Sequence, residues 1–257
     1  MRYHQSFHRL FVLIASILTI TLGVASAPAA DWTQFRGPDR NGISTETGLA
    51  TDWPESGPTE LWRQPIGDSF SGVVAIDGAL FTTTSDEEGE FALRLDPTTG
   101  KTVWRTRLAP TFTDSFGNGP RITPTLDGDR LFVLSGGGHL TALGREKGDV
   151  RWNVDLRETF GAELPHWGFA SAPLVLDELL ILDVGAPDAA VVAFDKTDGT
   201  VRWKAGSGGG AYSSPAVHTI AGQRQLVLLR TSGLVGLSLD GKELWSHEWA
   251  SRGTIKP

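Results

Sequence analysis

From Gly72 onward the chain breaks into short apolar runs of four to six residues, and turn residues separate them. Four successive groups of four runs can be marked. The first holds 72–76, 79–83, 91–95 and 102–106, the second 121–126, 130–134, 139–143 and 150–154. The third holds 172–176, 179–183, 190–194 and 201–204, the fourth 214–218, 225–229, 234–239 and 243–247. Runs of this length, rich in Val, Leu, Phe and Thr and bounded by Asp-Gly or similar pairs, predict β-strands. Outside the leader-like segment no stretch repeats its apolar residues at the helical period.

The last two runs of every group are joined by a similar hairpin that ends in tryptophan. The copies are Leu95-Asp-Pro-Thr-Thr-Gly-Lys-Thr-Val-Trp104, Leu143-Gly-Arg-Glu-Lys-Gly-Asp-Val-Arg-Trp152, Phe194-Asp-Lys-Thr-Asp-Gly-Thr-Val-Arg-Trp203 and Leu239-Asp-Gly-Lys-Glu-Leu-Trp245. Gly100, Gly148, Gly199 and Gly241 each stand four residues before their tryptophan. The tryptophans recur at intervals of 48, 51 and 42 residues. A fixed period of this size marks a repeat architecture, in which each unit buries an apolar face against the next. Asp96 and Asp195 open the turn through their side chains, and glycine closes it with a positive φ. Tryptophan then carries a large ring towards the neighbouring unit. Four-stranded units repeated every 40–50 residues predict an all-β propeller with blades at about 70–108, 120–156, 171–205 and 212–249.

The pattern Ala-x-Asp-x-x-Thr-Gly-x-x-x-Trp resembles the tryptophan-docking motif of the pyrroloquinoline-quinone (PQQ) repeat superfamily. That superfamily includes quinoprotein alcohol dehydrogenases and the lipoprotein scaffold of outer-membrane barrel assembly. The opening Trp32-Thr-Gln-Phe-Arg-Gly-Pro is similar to the start of secreted PQQ-like repeat proteins. No copy matches in full: Arg94 replaces alanine in the first, Gly144 and Lys147 depart in the second, Asp198 in the third, and the fourth is shortened. The resemblance implies that the glycines and tryptophans are structural docking residues, not catalytic ones. It also implies rings of commonly eight blades, which at this period need roughly 370 residues. The chain supplies four, so the expectation is an incomplete ring from a piece of a longer protein. Residues 59–64, with Trp62, then read as an outer strand without its blade, and the uncovered faces predict association.

Residues 1–30 carry Arg2 and Arg9, an uncharged apolar run over 10–24 and the small residues Ala25-Ser-Ala-Pro-Ala-Ala30. This predicts a cleaved signal peptide, since about fifteen apolar residues fall short of a membrane span. A periplasmic or secreted protein with no stable anchor after cleavage follows. Residues 31–58 read as a loop segment pinned across the repeats (59–257) by Trp32, Phe35 and Trp53. The chain has no cysteine, which removes disulfide and thiol chemistry, and a net charge of −7 argues against nucleic acid as a general partner.

Chemistry, if present, belongs in the long loops between one unit's last strand and the next unit's first, over 108–123, 156–172 and 205–214. Aligned on Pro124, Pro173 and Pro215, these loops place Arg121, Ala170 and Tyr212 at one position and Asn118, Trp167 and Gly209 three residues earlier. Arg121, His166, Trp167 and Tyr212 are therefore the candidates to face a ligand or partner. By resemblance, quinoprotein dehydrogenases hold PQQ beside Ca²⁺ with acidic ligands under a cysteine disulfide. Here Asp114 and Glu163 stand singly and there is no cysteine, so neither a cofactor nor a metal site is predicted. The expected function is a non-catalytic scaffold for a protein or other periplasmic ligand. The alternative is a piece of a PQQ-dependent oxidoreductase.

Overall fold

A computed structural model describes residues 30–249; the expected signal peptide lies almost wholly outside them. The first sheet orders β1 (Val74–Ile76), β2 (Ala79–Asp86), β3 (Gly89–Leu95) and β4 (Thr102–Ala109) side by side. A small two-stranded ribbon, β5 (Thr113–Asp114) and β6 (Gly117–Asn118), follows it. The second sheet contains β7 (Thr125–Asp127), β8 (Arg130–Leu134), β9 (His139–Gly144) and β10 (Val150–Asp155). After α1 (Leu156–Phe160), the one helix among the described residues, comes the third sheet, β11 (Leu174–Leu176), β12 (Leu179–Ala186), β13 (Ala189–Asp195) and β14 (Val201–Ala205). The fourth has β15 (Ala216–Ile220), β16 (Gln223–Arg230), β17 (Gly233–Leu237) and β18 (Glu243–Glu248). Every sheet is an antiparallel meander, and the four are blades of an all-β propeller.

Why the strands are apolar on both faces is clear from the packing. Along β8, Leu131 and Val133 pack with Phe81 and Ala92 of the first sheet, while Phe132 and Leu134 pack with Leu180 and Leu182 of the third. Leu226 and Leu228 of the fourth sheet meet Ile181 and Val191 in the same way. Alternate residues of a strand point to opposite faces, so a blade between two neighbours needs both faces apolar. Among the described residues the apolar clusters join first to second, second to third and third to fourth, and none joins fourth to first. The ring is incomplete.

The tryptophans of the first three blades, Trp104, Trp152 and Trp203, each cross to the next hairpin. A Cβ added to Gly148 would fall 2.6 Å from the ring of Trp104, and one added to Gly199 would fall 2.8 Å from that of Trp152. The indole N–H also finds an acceptor: Trp104 Nε1 donates to Arg145 O at 3.1 Å and Trp152 Nε1 to Lys196 O at 3.2 Å. Both acceptors lie three residues before the docking glycine. That carbonyl is free because the glycine N–H closes the turn on the residue before it, Gly144 or Asp195. In the shortened fourth hairpin the Gly241 N–H bonds Ser238 O, which is itself three residues back. Trp203 covers Gly241, but its Nε1 is buried with no partner.

Four sequence-based expectations need correction. Residues 59–64 form no strand, because no inner strands stand beside them. Trp62 nevertheless docks as a blade tryptophan would, covering Gly100 and donating from Nε1 to Pro97 O at 2.8 Å. Trp245 does not dock on a further hairpin; it folds over Gly236 of its own sheet and donates to Gln225 Oε1 at 2.6 Å. The 31–58 segment is held at Trp32, whose N–H and C=O pair with Ala75 at 2.7 and 3.0 Å, whereas Trp53 is exposed. The helix α1 was not legible at the helical period because five residues are too few to show one. Its signals are the caps, with Asp155 accepting from the N–H groups of Arg157 and Glu158 and Gly161 left-handed at φ 68°.

Candidate functional site

The inner strands β1, β7, β11 and β15 start around one central funnel, and the residues just before them form its mouth. A cavity of about 490 Å³ lies there, lined by Phe70, Arg121, Ala170 and Tyr212 from the loops that lead into the four sheets and by Arg36 and Arg40 from the N-terminal segment. The three residues aligned three positions before proline thus all reach the funnel. Of the set three residues earlier, neither Asn118, Trp167 nor Gly209 lines the cavity.

The four candidate residues do converge, in two layers. Tyr212 and Trp167 pack with ring centroids 5.3 Å apart, and the Trp167 backbone N–H donates to the tyrosine hydroxyl at 3.1 Å. His166 and Phe116 stand edge-on to Trp167 at 5.2 and 6.0 Å. Both are exposed, so the outermost layer of the mouth is aromatic, and the Trp167 Nε1 beneath is buried without a partner.

Arg121 has a different task. Its Nη2 donates to Asp114 at 2.6 Å and to Gly117 O at 2.8 Å, and its Nε to Trp167 O at 3.1 Å. The guanidinium stacks between Phe70 and Phe112, 4.4 and 5.0 Å from their centroids. It therefore clamps the ribbon β5–β6 to the next inter-blade loop. Partial burial of Asp114 acts to raise its pKa, but the Phe116 N–H and Arg121 outweigh this and lower it.

Two more buried acids hold loops. Glu90 accepts from the Phe112 N–H at 3.0 Å and the Gly136 N–H at 2.9 Å, and burial raises its pKa against those bonds. Asp183 lies 3.1 Å from Arg230 Nε, and burial pushes its carboxyl up to about 6 against the pull of the arginine. Arg230 in turn donates to the carbonyls of Ser207, Gly208 and Gly209, fixing the glycine-rich loop. No sequence reasoning singled out Glu90, Asp183 or Arg230. A charged residue inside an otherwise apolar strand was the available signal.

A ring of four-stranded blades sealed by tryptophan on glycine is a PQQ-like repeat architecture, and residues 88–256 match the family model described as outer membrane protein assembly factor BamB. The chain belongs to that family. Among solved structures, BamB from Moraxella catarrhalis is similar over 74% of this chain and 63% of its own, with 17% identity and a TM-score of 0.46. A europium-containing methanol dehydrogenase is similar over 70% of this chain and 41% of its own, with 15% identity and a TM-score of 0.53. The quinohemoprotein alcohol dehydrogenase of Comamonas testosteroni gives 70%, 35%, 16% and 0.51 in the same order. The chain thus spans less than two-thirds of each of these relatives, and the latter two likenesses show the propeller fold. Among curated proteins no sequence matches. This BamB-family chain keeps the docking tryptophans while its funnel mouth carries an aromatic layer over clamped loops.

Proposed function

We propose that this BamB-family protein is an exported, non-catalytic propeller that presents its funnel mouth to a protein partner in the periplasm. The observation that carries this reading is the exposed aromatic pair Phe116 and His166 around Trp167, on loops held rigid by Arg121 and Glu90. Aromatic side chains on a preorganised surface give large contact area at small entropic cost, which suits protein recognition. The polar groups that could otherwise do chemistry are bound to the fold. Asp114 is held by Arg121, and Asp183 by Arg230. Among the described residues no three His, Asp or Glu side chains come together as metal ligands, and calcium requires several converging oxygens. That donor set does not suit a quinone–calcium centre.

The test is capture from a periplasmic extract by the purified chain and by Phe116→Glu/His166→Glu, both substitutions being at exposed positions. A discrete partner retained by the first and lost by the second is expected. A red-shifted PQQ spectrum with dye reduction, after incubation with PQQ and Ca²⁺, would replace the scaffold with the oxidoreductase reading.

A further inference from the structure

The N-terminal segment brings two arginines to the funnel, and their bonding leaves N–H donors in a definite arrangement. Arg36 and Arg40 both have positive φ, 63° and 52°, a strained conformation for a residue with a side chain. Around them Gly37 N–H bonds Gln34 O and Arg40 N–H bonds Gly37 O, both at 3.0 Å, so the tight turn holds the two side chains beside the cavity. Arg40 donates from Nη1 to Gln34 Oε1 at 3.1 Å and to Pro173 O at 3.0 Å, and from Nη2 to Ala172 O at 3.1 Å. These are all neutral acceptors. A guanidinium has five N–H donors, two on each Nη and one on Nε. Both Nη1 hydrogens are used, and the consecutive carbonyls of Ala172 and Pro173 occupy the Nη1–Nη2 edge. The Nε–H and the second Nη2–H remain, and these two form the side-on fork that fits a planar carboxylate.

The Arg36 side chain makes one bond among the described residues, to Asn41 O at 3.2 Å, and is exposed. Among the described residues neither arginine has a carboxylate in ion-pair range, and no acidic side chain lines the cavity. Burial lowers the Arg40 pKa to about 10, the sign of a cation desolvated without a counter-ion. The aromatic side chains lining the same cavity are Phe35, Phe70 and Tyr212, and the volume of about 490 Å³ is that of a small-ligand site.

We infer that the funnel binds a small carboxylate with a flat apolar body, its carboxylate on the free edge of Arg40 and beside Arg36, its body against Phe35, Phe70 and Tyr212. The inference does not depend on the scaffold reading, because none of Phe116, His166 and Trp167 lines the cavity. It also accounts for a cationic pocket in a chain of net charge −7.

The test is titration of the purified chain with benzoate, followed by calorimetry and by NMR of the arginine Nε–H resonances, with benzyl alcohol and inorganic phosphate as parallel probes. Saturable binding of benzoate, a shift of the Arg40 Nε–H, and binding at least about tenfold weaker for benzyl alcohol are expected. Arg40→Lys keeps the charge but loses the fork and should weaken benzoate by about tenfold or more. Arg36→Gln makes no tertiary bond to lose, should leave the melting temperature unchanged, and should also weaken benzoate. No saturable binding, equal binding of benzyl alcohol, equal binding of phosphate, or unaltered benzoate binding in Arg36→Gln would each overturn the assignment.

Discussion

Trp152 lies flat on Gly199 of the following blade, with its ring carbon Cδ2 2.8 Å from where a glycine Cβ would stand. The tryptophan is 9% exposed and the glycine has φ +77°, so each residue is the condition for the other. Trp152→Ala should cost about 3–5 kcal/mol, the range for emptying a large aromatic site, read as the shift in urea midpoint. Trp104 and Trp203 are only half-buried at the same junctions, and their removal should cost less. Gly199→Ala should also destabilise, by about 1–3 kcal/mol, because it combines a left-handed backbone with a steric overlap.

The unpaired indole of Trp203 separates two parts of that stability. Trp203→Phe removes an N–H that has no acceptor, whereas Trp152→Phe removes one bonded to Lys196 O. After the common loss of ring area, Trp152→Phe should be the costlier by about 1 kcal/mol. Parallel denaturation curves of the two variants measure the difference.

Burial raises the folded-state pKa of Asp183 to about 6 and that of Glu90 in the same direction. Between the unfolded value of 3.8 for Asp183 and about 6, the folded state binds more protons than the unfolded state at this residue. Its contribution to stability is therefore complete below pH 3.8 and is lost as pH rises through about 6. The difference in unfolding free energy between the natural chain and Asp183→Asn should fall over that window and then level off. A difference that rises with pH there would show the carboxyl to be favoured in its charged form.

Arg121→Met leaves Asp114 without its counter-charge and frees the β5–β6 ribbon from the loop at Trp167. The bonds of Arg121 to Asp114, Gly117 O and Trp167 O are lost together, so a lower urea midpoint is expected. Hydrogen exchange should quicken at Gly119, whose N–H bonds Phe112 O within the clamped loop, before it quickens in β8.

The outer face of the fourth sheet carries Ile220, Val227, Leu229 and Leu234, with Trp245 folded over it, and no further sheet covers it among the described residues. Sedimentation velocity should show association that grows with concentration, and Ile220→Lys, at a position 39% exposed, should reduce it.

What the sequence determined by itself was whatever repeats. Period-two apolar runs and a glycine four residues before each tryptophan are local signals, set by backbone geometry and by turn chemistry. They were enough for the blades, the incomplete ring and the docking of Trp104, Trp152 and Trp203, though not for Trp245, which has no further hairpin to meet among the described residues. The alignment on proline even placed Arg121, Ala170 and Tyr212 at one funnel.

The tertiary structure decided everything that depends on which groups meet. Only folding turned Arg121 from a funnel candidate into a clamp on Asp114, buried Glu90 and Asp183 as loop holders, and left Trp203 without an acceptor. Arg36 and Arg40 lie in a segment with no strand pattern, and the free donors of Arg40 are defined by carbonyls at Ala172 and Pro173, more than 130 residues away. Periodicity reports which side of a strand faces its neighbour. It carries no information on hydrogen-bond valence, and that valence is what shapes the funnel.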